Sequence, residues 1–119
     1  MMFLNFTNHP SSNWTKKQLQ EAQKYGEIVD LPFPQVEPEY TKDIVYDLAE
    51  KFAKQIIKQK PDCVLCQGEF CLSFCVIEKL KKYGIKVVAA CSKREVEEIV
   101  IDTEIRKNSR FVFVQFREY

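Results

Sequence analysis

The sequence predicts an α/β domain built on a parallel sheet, and three observations carry that expectation. Short apolar runs alternate with segments of helical periodicity through most of the chain. The run Ile85 to Ala90 is unbroken in β-branched residues and alanine apart from Lys86, the pattern of a strand covered on both faces. At 119 residues the chain holds one domain, spanning 1–119, and not comfortably two.

The elements follow in order. Met2 to Phe6 is an apolar run suited to a central strand, and it ends in the polar loop Thr7 to Asn13, where Pro10 stops the ladder. Thr15 is an N-cap candidate for a first, mostly polar helix, with Gln18 completing a capping box and Trp14 able to staple onto Leu19. Gly26 is placed to end that helix. Glu27 to Leu31 reads as a second strand, followed by a segment too rich in proline for regular structure. From Thr41 to about Lys60, Ile44, Val45, Leu48, Ala49, Phe52 and Ile56 recur at helical spacing, and Pro61 closes the helix. Val64 to Cys66 forms a third strand, ending at Gln67-Gly68-Glu69. A third helix carries Leu72, Val76, Ile77 and Leu80 on its inner side and stops at Gly84. Ile85 to Ala90 is the fourth strand. Glu97 to Ile105 and Phe111 to Phe116 then read as a terminal hairpin turning at Arg106 to Ser109, which would extend the sheet or make a dimer contact. The order β-α-β-α-β-α-β plus a C-terminal β-hairpin is that of a Rossmann-like or flavodoxin-like domain.

Composition narrows the function. Eighteen basic and 17 acidic side chains leave a formal charge of +1, which argues against a protein that holds long nucleic acid by bulk charge. A small anion site remains open. The longest apolar runs, such as Cys71 to Ile77 broken by Ser73, are too short to cross a bilayer, so no membrane association is expected. The start MMFLNFTNHP lacks the features of a secretory signal, and the expected compartment is the cytoplasm. Five cysteines without export are expected as reduced thiols. Cys63 and Cys66, three apart on a strand, should point to opposite faces, and Cys71 and Cys75, sharing a helix face, read as small core residues. His9 is the only histidine. No metal and no cofactor is therefore expected.

In sheets of this kind ligands sit beyond the carboxyl ends of the strands, where the order reverses. A strand order of 2-1-3-4 puts that crevice between strands one and three. Its borders would be the first loop, with Asn8, His9, Ser11 and Ser12, and the turn Gln67-Gly68-Glu69-Phe70. The segment Cys91-Ser92-Lys93-Arg94, read as the loop after strand four, is the next neighbour. Each has a plainer reading: a polar loop that caps a helix, a tight turn, a solvated charged turn. Gly68 would permit close backbone approach or a positive φ, and the amides opening helix three would face the crevice. Neither G-x-G-x-x-G nor G-x-x-x-x-G-K-[ST] occurs, so ordinary dinucleotide and P-loop binding are disfavoured. Ser92, Lys93 and Arg94 suit a phosphate.

Donors without metal ligands fit a phosphodiester. RNA carries its own nucleophile, the 2′-hydroxyl, and a protein can promote cleavage by holding that oxygen in line and neutralising the charge that develops on phosphorus. His9 is the candidate acid or base, since imidazole ordinarily titrates near neutrality, and Arg94 or Lys93 the candidate stabiliser of the phosphorane. A loop histidine that only hydrogen-bonds backbone is the competing account of His9.

Four segments, LNFTNHP followed by W-T-x-x-Q-L, VLCQGEF, GIKVVAACSKR and FVFVQFREY, resemble the small CRISPR-associated proteins related to CARF domains, a group that includes stand-alone ring nucleases. The Q-G-[DE]-F turn, the [ST]-x-R segment and the terminal F-R-x-Y carry most of the likeness. The resemblance implies a homodimer that binds cyclic tetra- or hexa-adenylate across its two-fold axis and cleaves it without metal, leaving 2′,3′-cyclic phosphate ends and silencing type III signalling. Carried over by motif, the contacting residues would be Asn8, His9, Gln67, Gly68, Glu69, Phe70, Ser92 and Arg94. The first loop departs from the pattern, reading Thr7-Asn8-His9-Pro10-Ser11-Ser12 where the relatives carry a shorter serine-histidine sequence. A sensor of the same fold that binds the messenger without cutting it is the alternative, and an unrelated α/β enzyme or structural partner the third reading.

Overall fold

The computed structural model describes residues 1–119 and contains five strands and three helices in the order β1-α1-β2-α2-β3-α3-β4-β5. The strands are β1 (Met2–Phe6), β2 (Glu27–Asp30), β3 (Cys63–Cys66), β4 (Lys86–Ile101) and β5 (Glu104–Glu118), and the helices α1 (Lys16–Gln23), α2 (Lys42–Lys58) and α3 (Phe70–Lys82). They form one sheet in the order β2-β1-β3-β4-β5. The first four strands are parallel and β5 is antiparallel to β4, so the sheet is mixed. The expected 2-1-3-4 order is observed, with β1 and β3 side by side at its centre.

Two apolar clusters cover the two faces of the sheet. Leu4, Phe6, Val64, Cys66 and Val87 point toward α2 and α3, where Val45, Ala49, Ile56, Leu72, Val76 and Leu80 meet them. Phe3, Cys63, Leu65 and Val88 point the other way, toward Ala22 of α1, with Trp14, Tyr25 and Phe116 packed around them. This alternation is the period of two of a strand buried on both sides. It also places Cys63 and Cys66 on opposite faces, as their spacing requires. The helix starts follow the sequence: Thr15 Oγ1 accepts the Gln18 N–H and Thr41 Oγ1 the Ile44 N–H, each at 3.4 Å. Trp14 stacks edge-on against Phe3 at a centroid distance of 6.2 Å. Gly26 closes α1 at a φ of 123°, a conformation that excludes a side chain because a Cβ would meet the Met1 backbone at 2.3 Å.

Several expectations fail here. Ile44 lies on the solvent side of α2, and Cys71 is exposed and Cys75 only partly covered, so neither cysteine is a core residue. The larger correction concerns the C-terminal third. There is no separate hairpin with a turn at Arg106 to Ser109. β4 runs on without a break from Lys86 to Ile101, turns at Asp102-Thr103, and returns as β5, paired with it from Ile101↔Glu104 to Val88↔Glu118. Ser92, Lys93 and Arg94 are therefore strand residues. A register shift between Cys91 and Ser92, with Val114 as the extra residue of β5, marks where the ladder bends away from the domain. β4 pairs with β3 only through Lys86 to Val88. Beyond that point the two strands project as a ribbon, and the molecule measures 56 × 38 × 21 Å.

Candidate functional site

The carboxyl ends of β1 and β3, the start of α1 and the base of the ribbon enclose a cleft of about 590 Å³ on the α1 side of the sheet. His9, Asn13, Trp14, Thr15 and Gln18 form one wall, and Gln67, Ala90, Ser92, Phe111 and Phe113 the other. No carboxylate lines it, and His9 is its only titratable residue.

The first loop is held by a buried polar network that begins with Asn5, an amide inside an otherwise apolar strand. Asn5 Nδ2 donates to the His9 carbonyl at 2.9 Å and to Asp30 Oδ1 at 3.0 Å, while its Oδ1 accepts from Thr7 Oγ1 at 2.8 Å. Thr7 Oγ1 also accepts the His9 N–H at 3.1 Å, and Trp14 Nε1 donates to the same His9 carbonyl at 3.1 Å. The backbone of His9 is thus fixed on both sides. Its imidazole makes no hydrogen bond and stands free at the cleft. The competing account of a histidine that only bonds backbone describes its main chain and not its ring.

The other residues of this loop go elsewhere. Ser11 Oγ and N–H both donate to Asp30 Oδ2, at 3.1 and 3.2 Å, and Ser12 is exposed in the single 3-10 turn 11–13. Asn8 lies in a separate small hollow with Asn5, Thr7 and Asp30. None of the three reaches the cleft.

The Gln67 to Phe70 turn is divided by the sheet. Gln67 faces the cleft, yet its amide continues the β3–β4 pairing by one rung: Oε1 accepts the Ala90 N–H at 2.8 Å and Nε2 reaches the Ala90 carbonyl at 3.5 Å. Gly68 serves the core, because a Cβ there would meet the Phe33 ring at 2.6 Å, and its φ is not positive. Glu69 is the N-cap of α3, its Oε1 accepting the Leu72 N–H at 2.8 Å, so the amides opening that helix already have an anion. Phe70 projects on the opposite side of the sheet into a second hollow with Phe74 and Tyr119. Tyr119 Oη in turn donates to the Cys66 carbonyl at 2.8 Å and braces the end of β3.

On the ribbon, cross-strand partners share a face, and Ser92 is paired with Phe113 and Arg94 with Phe111. Both phenylalanines line the cleft, so Arg94 stands one pair beyond Ser92 on the same face, at the outer end of the cleft and without an ion-pair partner. Lys93, one residue over, is on the opposite face. The structure therefore brings His9, Gln67 and Ser92 together and sets Arg94 near them. It sends Asn8, Ser11, Ser12, Gly68, Glu69, Phe70 and Lys93 elsewhere. Thr15 and Gln18 had been legible only as a helix cap, and Phe111 and Phe113 only as strand residues. The signal that would have found the phenylalanines is their period of two beside Ser92 and Arg94.

A family model described as the uncharacterized protein MJ1673 family matches residues 1–117. Comparisons with curated proteins and with solved structures return no match.

Proposed function

The chain belongs to the MJ1673 family, and from the site itself we propose that it is a Rossmann-like, CARF-related ring nuclease, a two-fold homodimer that binds a cyclic oligoadenylate, cyclic tetra-adenylate above all, and opens it without metal. The observation that carries the reading is the free imidazole of His9, held by a fixed backbone at the mouth of a cleft that has no carboxylate. Exclusion of carboxylates favours a phosphodiester, and the aromatic rings of Trp14 and Phe111 offer faces on which bases stack.

In this reaction a ribose 2′-oxygen attacks its own phosphorus, the O2′–P bond forms, the P–O5′ bond breaks, and the ring opens to a 2′,3′-cyclic phosphate and a 5′-hydroxyl. His9 takes the proton of the 2′-hydroxyl or supplies the one that the 5′-oxygen needs. The Ser92 hydroxyl and the Arg94 guanidinium at the cleft's outer end donate to the phosphate oxygens as charge builds. A ring with few phosphates requires no large basic surplus, which agrees with a formal charge of +1.

One observation favours a second reading: His9 is the single titratable group lining the cleft, which supplies an acid or a base but not a pair. A sensor or sequestering protein needs neither. Incubation with cyclic tri-, tetra- and hexa-adenylate in EDTA, resolved by chromatography, separates the two. Linear products are expected, and His9→Ala should slow their formation about a hundredfold. An intact ring, tightly bound, would make the protein a sensor. Failure to bind any of the three rings would end both readings.

A further inference from the structure

The ribbon formed by β4 and β5 beyond the bulge cannot be stable on its own terms. From Ser92 to Ile101 it extends about 30 Å at ~3.3 Å per residue, and beyond its root, where Phe113 is buried and α1 borders the cleft, residues 93–112 join neither core cluster. Two strands without a third are marginal in water. Both of its faces mix apolar and charged side chains. Arg94, Val96, Glu98 and Val100 share one face with Ile105, Lys107, Ser109 and Phe111, and Val96, Val100, Ile105 and Phe111 are each more than half exposed. The other face carries Lys93, the Glu95–Arg110 ion pair at 3.3 Å, Glu97 and Arg106, together with Val112, Ile99 and Ile101, and both isoleucines are exposed. Each face thus leaves apolar side chains in water between charged ones.

The two edges differ. The outer edge of β5 is strongly basic here, with Arg106, Lys107 and Arg110 against a single Glu104. A second β5 laid against it would meet like charges. The outer edge of β4, free beyond its short pairing with β3, runs from basic at Lys93-Arg94 to acidic at Glu97-Glu98. An antiparallel copy of the same strand brings unlike ends together.

We propose that two copies of this chain join through the β4 edges of their ribbons, antiparallel and in the register centred on Val96. A two-fold axis perpendicular to a sheet keeps each residue on its own face, so only registers that pair residues of the same parity are allowed. Centring on Val96 sets Val96 against Val96 on one face, with Arg94 opposite Glu98 on either side. On the other face Lys93 meets Ile99 and lies diagonal to Glu97, and the Glu95 that meets Glu97 already holds Arg110. The product is a four-stranded antiparallel sheet, which meets the strand number that a lone ribbon lacks. This assigns the surface of the two-fold assembly proposed above and rests on that reading only in taking a second copy as the occupant. The same join puts each Ser92–Arg94 pair beside the partner's strand.

Sedimentation equilibrium of the full chain without nucleotide tests it. A dimer is expected. Arg94→Glu and Glu98→Arg should each weaken it about tenfold or more, by setting like charges opposite one another twice. The double variant, which restores both pairs with the signs exchanged, should return to within about threefold of the parent. Rescue of that kind rules out misfolding as the cause of the single losses. A parent that stays monomeric, or a dimer indifferent to both reversals but broken by Phe74→Asp on the α3 side, would overturn the proposal. A dimer that behaves as expected yet binds no cyclic adenylate leaves this interface standing and removes the functional reading instead.

Discussion

Cys66 shows how position alone sets the chemistry of a side chain. It is fully buried among Phe6, Phe33 and the α2–α3 helices, and burial pushes its thiol from an ordinary value of 9.0 up to about 12. Cys63, on the other face of the same strand, is pushed up to about 11, chiefly by burial. Above pH 9 the unfolded chain loses these two protons while the folded chain retains them. The unfolded state then binds fewer protons, and stability falls as pH rises. Their contribution is complete below about pH 9 and is lost progressively toward pH 11 and 12. The melting temperature should decline through that window, and more shallowly in Cys66→Ala, whose own slope isolates the thiol from Tyr119, also raised by burial. An equal slope in parent and variant would show that Cys66 ionises freely in the folded protein. Cys71, exposed on α3, should meanwhile react with a thiol reagent long before the strand cysteines do.

At the scale of elements, the loop after β1 is ordered by a residue that belongs to the strand. Asn5 is 1% exposed and holds His9, Asp30 and Thr7 through three hydrogen bonds. Asn5→Ala leaves buried polar groups short of partners and should cost about 2 kcal/mol in urea denaturation. Because His9 is the only histidine, its imidazole signals in an NMR spectrum report the loop directly. They should be sharp and single in the parent and broadened in the variant, whereas unchanged signals would mean that Thr7 and Trp14 suffice to hold it. The pairing of the first four strands was legible because hydrophobic period and helix caps agree there. The interior Asn5 was equally visible, but an amide's partners are not written in its neighbours. The ribbon was misread for a different reason. Lys107-Asn108-Ser109 looks like a turn by polarity, yet in a strand with water on both sides polarity marks nothing. The true turn at Asp102-Thr103 has no glycine, and Asp102 itself takes a φ of 56°, which aspartate tolerates better than most residues.

The whole molecule is larger than its length requires. A compact chain of this size has a radius of gyration of about 13.5 Å by chain-length scaling, and the observed value is 17.1 Å. The excess is the ribbon. Both core clusters are complete without it: no residue from Lys93 to Val112 belongs to either, and Phe116 and Val88 lie at its root. Two cooperative units follow from that separation, a domain held by its cores and an arm held by whatever it meets. Replacing residues 95–110 with Asn-Gly, between the paired Arg94 and Phe111, supplies a hairpin turn where the register already closes. The shortened chain should fold, melt within a few degrees of the parent, and give a radius of gyration near the compact value by small-angle scattering. It should also sediment as a monomer. Loss of folding would mean that the arm stabilises the domain itself, and a dimer retained without the arm would move the contact to the helical side of the sheet, where Phe70 and Phe74 stand exposed. Only the first pair of outcomes, a folded monomer, fits a ribbon whose free β4 edge is paired by a second copy.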